Sequence, residues 1–293
     1  MKEIVFIGSR SSAGKESLLS GFVAASPLSI IADCSLEYNA LIKVMQPSNI
    51  REKRLPIFRG FSFDQERCIH CGMCLGVCKQ DALAFLEEQM TFYEYRCTHC
   101  ASCVKWCPVM ALSHEEQREI SLYHASTRFG FLVYSHNFLE PSLQPEMINA
   151  IRKQALQIAR DRGAELVLVN GSRGLRNTTL KAIENTDALV AVISPAAHAL
   201  KDLERIIHFC RKAGHEPLVI INMIDIDPLQ SLEMEKICEN MAVAVIGKVT
   251  YNASFRDALI RNQSINEIIP GSELAVSLEN IWERILDHIS LRK

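Results

Sequence analysis

Eight cysteines fall into two runs of one pattern. The first reads Cys68-Ile-His-Cys71-Gly-Met-Cys74-Leu-Gly-Val-Cys78, the second Cys97-Thr-His-Cys100-Ala-Ser-Cys103-Val-Lys-Trp-Cys107, followed by Pro108. Both place a histidine before the second cysteine. Thiolates three residues apart in a tight loop can bind three irons of one cubane cluster, and the fourth cysteine of each run crosses to the other cluster. That rule gives two 4Fe-4S clusters, one on Cys68, Cys71, Cys74 and Cys107, the other on Cys97, Cys100, Cys103 and Cys78. Zinc sites take four cysteines in pairs and have no use for eight in a double run. A disulfide framework needs an oxidising compartment. Cys34, Cys210 and Cys238 are scattered and read as small buried hydrophobes.

The chain around these runs has 293 residues, long enough for one large domain and a small one. Its 48% hydrophobic and 23% charged residues are those of an ordinary globular protein. A net charge of −2 argues against nucleic acid as the main partner. No apolar run is long enough for a membrane span, and the N-terminus carries no signal-type segment. The expected location is a reducing cytoplasm.

The cysteine runs interrupt an alternation of strands and helices. Residues 2–8 read as a buried strand running into Gly8-Ser-Arg-Ser-Ser-Ala-Gly14-Lys15-Glu16-Ser17, with the helical pattern Leu18, Leu19, Phe22, Val23 behind it. Strand, small-residue loop, Gly-Lys and helix is the layout of a phosphate-binding loop. Backbone N–H groups and the helix N-terminus face the phosphates and the lysine reaches over them. A second strand, 28–33, ends at Asp33. The rhythm breaks near residue 56 and resumes with strands at 130–134, 165–170, 188–194, 217–222 and 242–249. Helices at 144–162, 200–213 and 229–241 lie between them, and two more, at about 253–262 and 272–290, close the chain. Near-continuous apolar strands alternating with helices predict a parallel sheet covered on both faces. The expected division is 1–57, an inserted 58–115, and 116–293.

These residues resemble the MinD/Mrp family of deviant-Walker P-loop ATPases, in the subgroup carrying an inserted, bacterial-type double-cluster ferredoxin domain. The family loop Gly-Lys-Gly-Gly-x-Gly-Lys-Thr falls on Ser9 to Glu16. The Asp-x-Asp motif falls on Asp33-Cys34-Ser35, with Pro-Asn-Leu near Asn39 to Leu41. Asp-Gly-Pro-Pro-Gly falls on Asn170 to Gly174, and Asn-Lys-x-Asp on Asn222 to Asp225. The resemblance implies a P-loop NTPase fold, with Gly14, Lys15, Ser17, Asp33 and Asn222 holding ATP or ADP. It also implies face-to-face dimers, with itself or a related ATPase, and coupling to a partner or to electron transfer.

The departures gather on the catalytic chemistry. Glu16 replaces the metal-binding hydroxyl, Arg10 the cross-subunit lysine, Ser35 the second switch carboxylate, and Asn170 the carboxylate that orients metal and water. Magnesium wants hard oxygen ligands, commonly one or two of them carboxylates, and Glu16 sets a negative charge near the phosphates. Two unit charges about 4 Å apart interact by roughly 4 kcal/mol at an effective dielectric of about 20. The expectation is weak nucleotide binding with little use of magnesium. The favoured reading is an iron–sulfur electron-transfer protein on a degenerate nucleotide scaffold, acting with a redox partner. An active ATPase gating low-potential electron transfer, and a non-enzymatic iron–sulfur carrier or positioning protein, are the alternatives.

Overall fold

The apolar runs at 4–7, 30–32, 167–169, 189–193 and 218–221 show no polar alternation, and each lies buried in a strand. The computed structural model describes residues 1–9, 13–26, 28–36, 40–58, 61–86, 89–93, 96–97, 100–114, 117–135, 144–175 and 177–290. The chain divides into two units. The first comprises Met1–Lys53, Leu122–Phe138 and Ile148–Lys293, the second Arg54–Ser121 and Leu139–Met147.

The chain opens with β1 (Lys2–Gly8), α1 (Lys15–Ala24), β2 (Ser29–Asp33), α2 (Ala40–Met45) and β3 (Ser48–Phe58). The cysteine-bearing stretch holds β4 (Phe61–Phe63), α3 (Met73–Gly76), β5 (Leu83–Leu86), β6 (Gln89–Phe92), α4 (Ser102–Lys105) and β7 (Leu112–His114). It is followed by β8 (Gln117–Ser126), β9 (Gly130–Tyr134), α5 (Gln144–Arg162), β10 (Leu166–Arg173) and α6 (Asn177–Ile183). Then come β11 (Ala188–Ile193), α7 (Ala199–Lys212), β12 (Leu218–Asn222), α8 (Pro228–Asn240) and β13 (Val245–Val249). Helices α9 (Ser254–Ile260), α10 (Ile265–Ile268) and α11 (Glu273–Ser290) finish the chain.

Nine strands form one sheet in the order β13-β12-β11-β1-β10-β2-β9-β8-β3. From β13 to β9 every pairing is parallel, so helices must return the chain across the sheet faces. On one face Phe6 of β1 stacks on Phe22 of α1, and Phe22 on Trp282 of α11, each pair 5.7 Å between ring centres. On the other face of β1, buried Glu3 takes a two-pronged hydrogen bond from Arg152 of α5, at 2.8 and 2.6 Å. Arg152 also donates to the carbonyls of Lys181 and Glu184, pinning the end of α6 to the same cation.

The strands β3 and β8 escape the sequence reading. β3 lies at the sheet edge and carries Arg51, Glu52, Lys53 and Arg54 in succession, and β8, the strand beside it, is only half buried. Charged edge strands discourage pairing with other chains, and the same charges erase the hydrophobic signal. Helix α2, at six residues, is too short for its period to register. The last sheet strand starts at Val245 rather than 242, because Ala242 takes a left-handed turn at φ 52° after α8.

Removing Arg152 strands a buried carboxylate together with two helix-end carbonyls. Arg152→Met should lower unfolding free energy by about 3–5 kcal/mol, measured by equilibrium urea denaturation. Glu3→Leu combined with Arg152→Met should cost less than Arg152→Met alone.

Candidate functional site

The cysteine-bearing unit is built twice over at an offset of 29 residues, the distance from Cys68 to Cys97. Helix α3 follows Gly72 at φ 71°, and α4 follows Ala101 at φ 59°, the residues after Cys71 and Cys100. Each left-handed residue turns the loop so that the next cysteine enters a single helical turn. Further on, Asp81 and Met110 are also left-handed, each three residues past the last cysteine of its run. The amide of Ala82 then donates to Cys78 Sγ at 3.3 Å, and that of Ala111 to Cys107 Sγ at 3.2 Å. The amide of His70 donates to Cys68 Sγ at 3.4 Å.

Cys68, Cys71, Cys74 and Cys107 line a single small cavity of about 20 Å³. Its other walls are apolar and include Phe63, Phe85, Met90 and Leu112. The first three cysteines therefore face the fourth cysteine of the other run. The second set is seen through its electrostatics. Burial pushes the Cys103 thiol up, and Cys97, Cys100 and Cys78 are the neighbouring thiols that push it further. Cys74 is likewise raised by burial, with Cys68 and Cys71 beside it. Among the described residues no three His, Cys, Asp or Glu side chains close on one point as around a single ion.

The three other cysteines are fully buried. Burial drives the Cys34 thiol far up, and those of Cys210 and Cys238 to about 12 and about 11. They pack as small apolar groups.

In the first unit, the ends of the parallel strands gather the residues expected at a nucleotide. Gly14 caps α1 at φ 78°, and a Cβ there would collide with the Asn222 amide. Only glycine fits this close approach. Asn222, at the end of β12, donates from Nδ2 to the Ala13 carbonyl at 2.9 Å. Its buried Oδ1 has no hydrogen-bond partner among the described residues. A cavity of about 180 Å³ opens beside it, lined by Gly14, Ser17, Met223, Tyr251, Phe255 and Arg256. Tyr251, Phe255 and Arg256 follow β13 with no motif to announce them.

Lys15 is buried, and its ammonium donates to Asn170 Oδ1 at 2.6 Å and to the Gly171 carbonyl. Asn170 in turn donates from Nδ2 to Asp33 Oδ1 at 3.0 Å, and the Ser35 amide donates to the same oxygen at 3.1 Å. Asp33 Oδ2 is buried and has no hydrogen-bond partner among the described residues. An aspartate at 170 could accept from Lys15 but could not donate to Asp33, so the amide joins a cation to a carboxylate that a second carboxylate would repel. Glu16 lies in the first turn of α1, where the helix field favours anions; it occupies the same field a phosphate would use. Arg10 and Asn39 lie outside the described residues.

Residues 62–113 match the 4Fe-4S dicluster domain family. The septum site-determining protein MinD of Pyrococcus horikoshii, solved with Mg-ADP, is similar over 100% of this chain and 99% of its own, at 13% identity and TM-score 0.58. The cell division ATPase MinD of Pyrococcus furiosus is similar over 98% and 99%, at 14% identity and TM-score 0.57. A ParA-family ATPase of Chlorobium tepidum covers 97% and 98%, also at 14% identity and TM-score 0.57. The chain has the P-loop fold of the MinD and ParA ATPases. With the dicluster match inside it, this supports an iron–sulfur protein built on a P-loop NTPase fold.

Burial holds the Asp33 carboxyl above its ordinary value of 3.8, outweighing the hydrogen bonds from Ser35. The folded chain thus keeps this proton to higher pH than the unfolded one, and the group's contribution to stability declines as pH rises from 3.8 through the raised value. Asp33→Asn should remove that decline. In urea denaturation across pH, the variant should gain on the parent as pH rises through this window; a constant gap would contradict the linkage.

Proposed function

We propose that this chain is an iron–sulfur electron-transfer protein whose MinD-like nucleotide site is degenerate for hydrolysis. The observation that carries the reading is the grouping of cysteines: Cys107 shares an apolar cavity with Cys68, Cys71 and Cys74, and Cys78 neighbours Cys103 with Cys97 and Cys100. Two 4Fe-4S clusters, ligated in these crossed sets, would supply one-electron chemistry. The protein's own share is to exclude water with Phe63, Phe85, Met90 and Leu112 and to direct amides at Cys68, Cys78 and Cys107. Hydrogen bonds to sulfur and low exposure set cluster potential. Oxygen-sensitive clusters fit a reducing, cytoplasmic setting. Among the described residues no helix is long and apolar enough to cross a membrane.

At the nucleotide loop, Lys15 and Asn222 remain for phosphate and base, while Glu16, Ser35 and Asn170 stand where metal and water would be positioned. Phosphoryl transfer depends on a metal bridging the terminal phosphates and on a group orienting the nucleophile. Without both, ADP or ATP would be held weakly and with little help from magnesium. A MinC:MinD complex from Aquifex aeolicus is among the similar structures. Here too we infer a protein partner, either a redox protein or a related ATPase in a face-to-face pair that includes Arg10. A second reading, an active ATPase gating electron transfer, is favoured by the cavity beside Asn222. Magnesium-dependent phosphate release separates the two.

Anaerobically prepared protein should contain about eight iron and eight sulfide per chain. Cys107→Ala should damage the cluster of Cys68, Cys71 and Cys74 and spare the other, read by iron content and electron paramagnetic resonance. About four iron in intact protein, or zinc, would overturn the assignment. The triple change Glu16→Thr, Ser35→Asp and Asn170→Asp should tighten magnesium-nucleotide binding in calorimetry. Asn170→Asp alone should not, because Glu16 would keep its charge at the head of α1 and no restored hydroxyl would help a metal offset the carboxylate set against Asp33.

A further inference from the structure

The carboxyl ends of β1, β2, β10 and β12 carry the nucleotide residues, and the opposite end of the sheet carries a second, larger hollow. It measures about 760 Å³ and lies within the first unit. Its floor is the β8–β9 ladder, where His124 pairs with Val133 and Ser126 with Phe131, so that His124, Ser126 and Phe131 share one sheet face. One wall is α5, which presents Gln154, Ile158, Asp161 and Arg162 at helical spacing. The other wall is the start of β3, through Asn49, Ile50 and Arg51. The volume is that of a small-molecule site.

The charge of this hollow runs against that of the chain. Arg51 and Arg162 line it, and Lys53 reaches over to Gln154 Oε1 at 2.7 Å. Asp161 is the carboxylate among the lining residues, and it accepts from Gln157 at 2.7 Å. Three cations against one carboxylate leave an excess of two positive charges, in a chain whose net charge is −2. Among the described residues neither Arg51 nor Arg162 is held in an ion pair. The Arg162 guanidinium lies 3.5 Å over the Phe131 ring, a stacking that leaves its N–H edge for in-plane oxygen acceptors. At the floor, His124 Nδ1 is buried and has no hydrogen-bond partner among the described residues.

We propose that this groove is a second ligand site, for a small oxyanion carrying two or more negative charges, with Arg51, Lys53 and Arg162 as its cationic partners and His124 at its floor. A phosphate compound and a polycarboxylate share this chemistry, and two guanidiniums with an ammonium suit either. The site is independent of the nucleotide loop and of the cysteines. Burial, followed by the charges of Arg51 and Lys53, lowers the pKa of His124. An anion entering between these groups cancels the two cations and favours the imidazolium. Arg162 and Asp161 face the groove from α5, and their opposite charges leave that balance unchanged. Binding should therefore take up a proton and tighten as pH falls toward the lowered His124 value.

The test is calorimetric titration of the full, cluster-loaded chain with pyrophosphate in one arm and citrate in the other, at constant ionic strength. Saturable binding is expected in at least one arm, and the tighter arm identifies the ligand class. Lys15→Ala should leave it unchanged, which separates it from binding at the phosphate loop. Arg51→Glu, a change at an exposed position, should weaken it at least about tenfold, equivalent to about 1.4 kcal/mol. His124→Gln should remove the proton uptake by the protein, leaving only the pH dependence of the ligand's own ionisation, while retaining binding. Absence of saturable binding in both arms, loss of binding in Lys15→Ala, or indifference to Arg51→Glu would each overturn the proposal.

Discussion

The side-chain amide of Asn170 ties together the buried charges at the carboxyl ends of the first unit's parallel strands. It accepts from the Lys15 ammonium and donates to the Asp33 carboxylate, linking the head of α1 to the ends of β10 and β2. All three groups are buried, so each needs a partner, and an amide can accept from one while donating to the other, which an ionised carboxylate at 170 could not. Burying a cation and a carboxylate without such a bridge would carry a large desolvation penalty. The arrangement occupies Lys15 with protein oxygens and leaves Asp33 half satisfied. Glu16 in the first helical turn acts in the same sense, since a fixed anion at a helix N-terminus competes with a phosphate for the same field.

The cysteine-bearing unit depends on a different constraint. Its apolar cluster is small, centred on Cys74, Leu83 and Leu112 with partly buried aromatic residues around them. Small units of this kind commonly need covalent or metal staples to be stable. The left-handed turns at Gly72 and Ala101 and the amides donated to Cys78 and Cys107 build the same loop twice. Ligand geometry and local folding are thus one problem, and the backbone that aims the thiols also donates to their sulfurs.

Much of this was legible in the residues. Continuous apolar runs such as 189–193 announced buried parallel strands, and the two cysteine runs announced the clusters through spacing that few other chemistries require. Asn222 and Gly14 were legible as a pair of motif positions, and the structure places them in contact. What escaped had physical reasons. The charges of edge strand β3 and the half-burial of its neighbour β8 blur the hydrophobic period, so both were silent. The cavity beside Asn222 is completed by Tyr251, Phe255 and Arg256, which only the fold brings there. Asn170 read as a lost carboxylate, and its bridging role emerges from donor and acceptor geometry that no linear pattern encodes.

The central claim is that the scaffold holds redox chemistry without running its own nucleotide cycle. The most direct test is titration of the reduced, cluster-loaded protein with ATP, with and without magnesium, following cluster potential and phosphate release together. The account predicts potentials that do not move with magnesium and phosphate release close to background. A magnesium-dependent shift in potential accompanied by turnover, both abolished in Lys15→Ala, would contradict it.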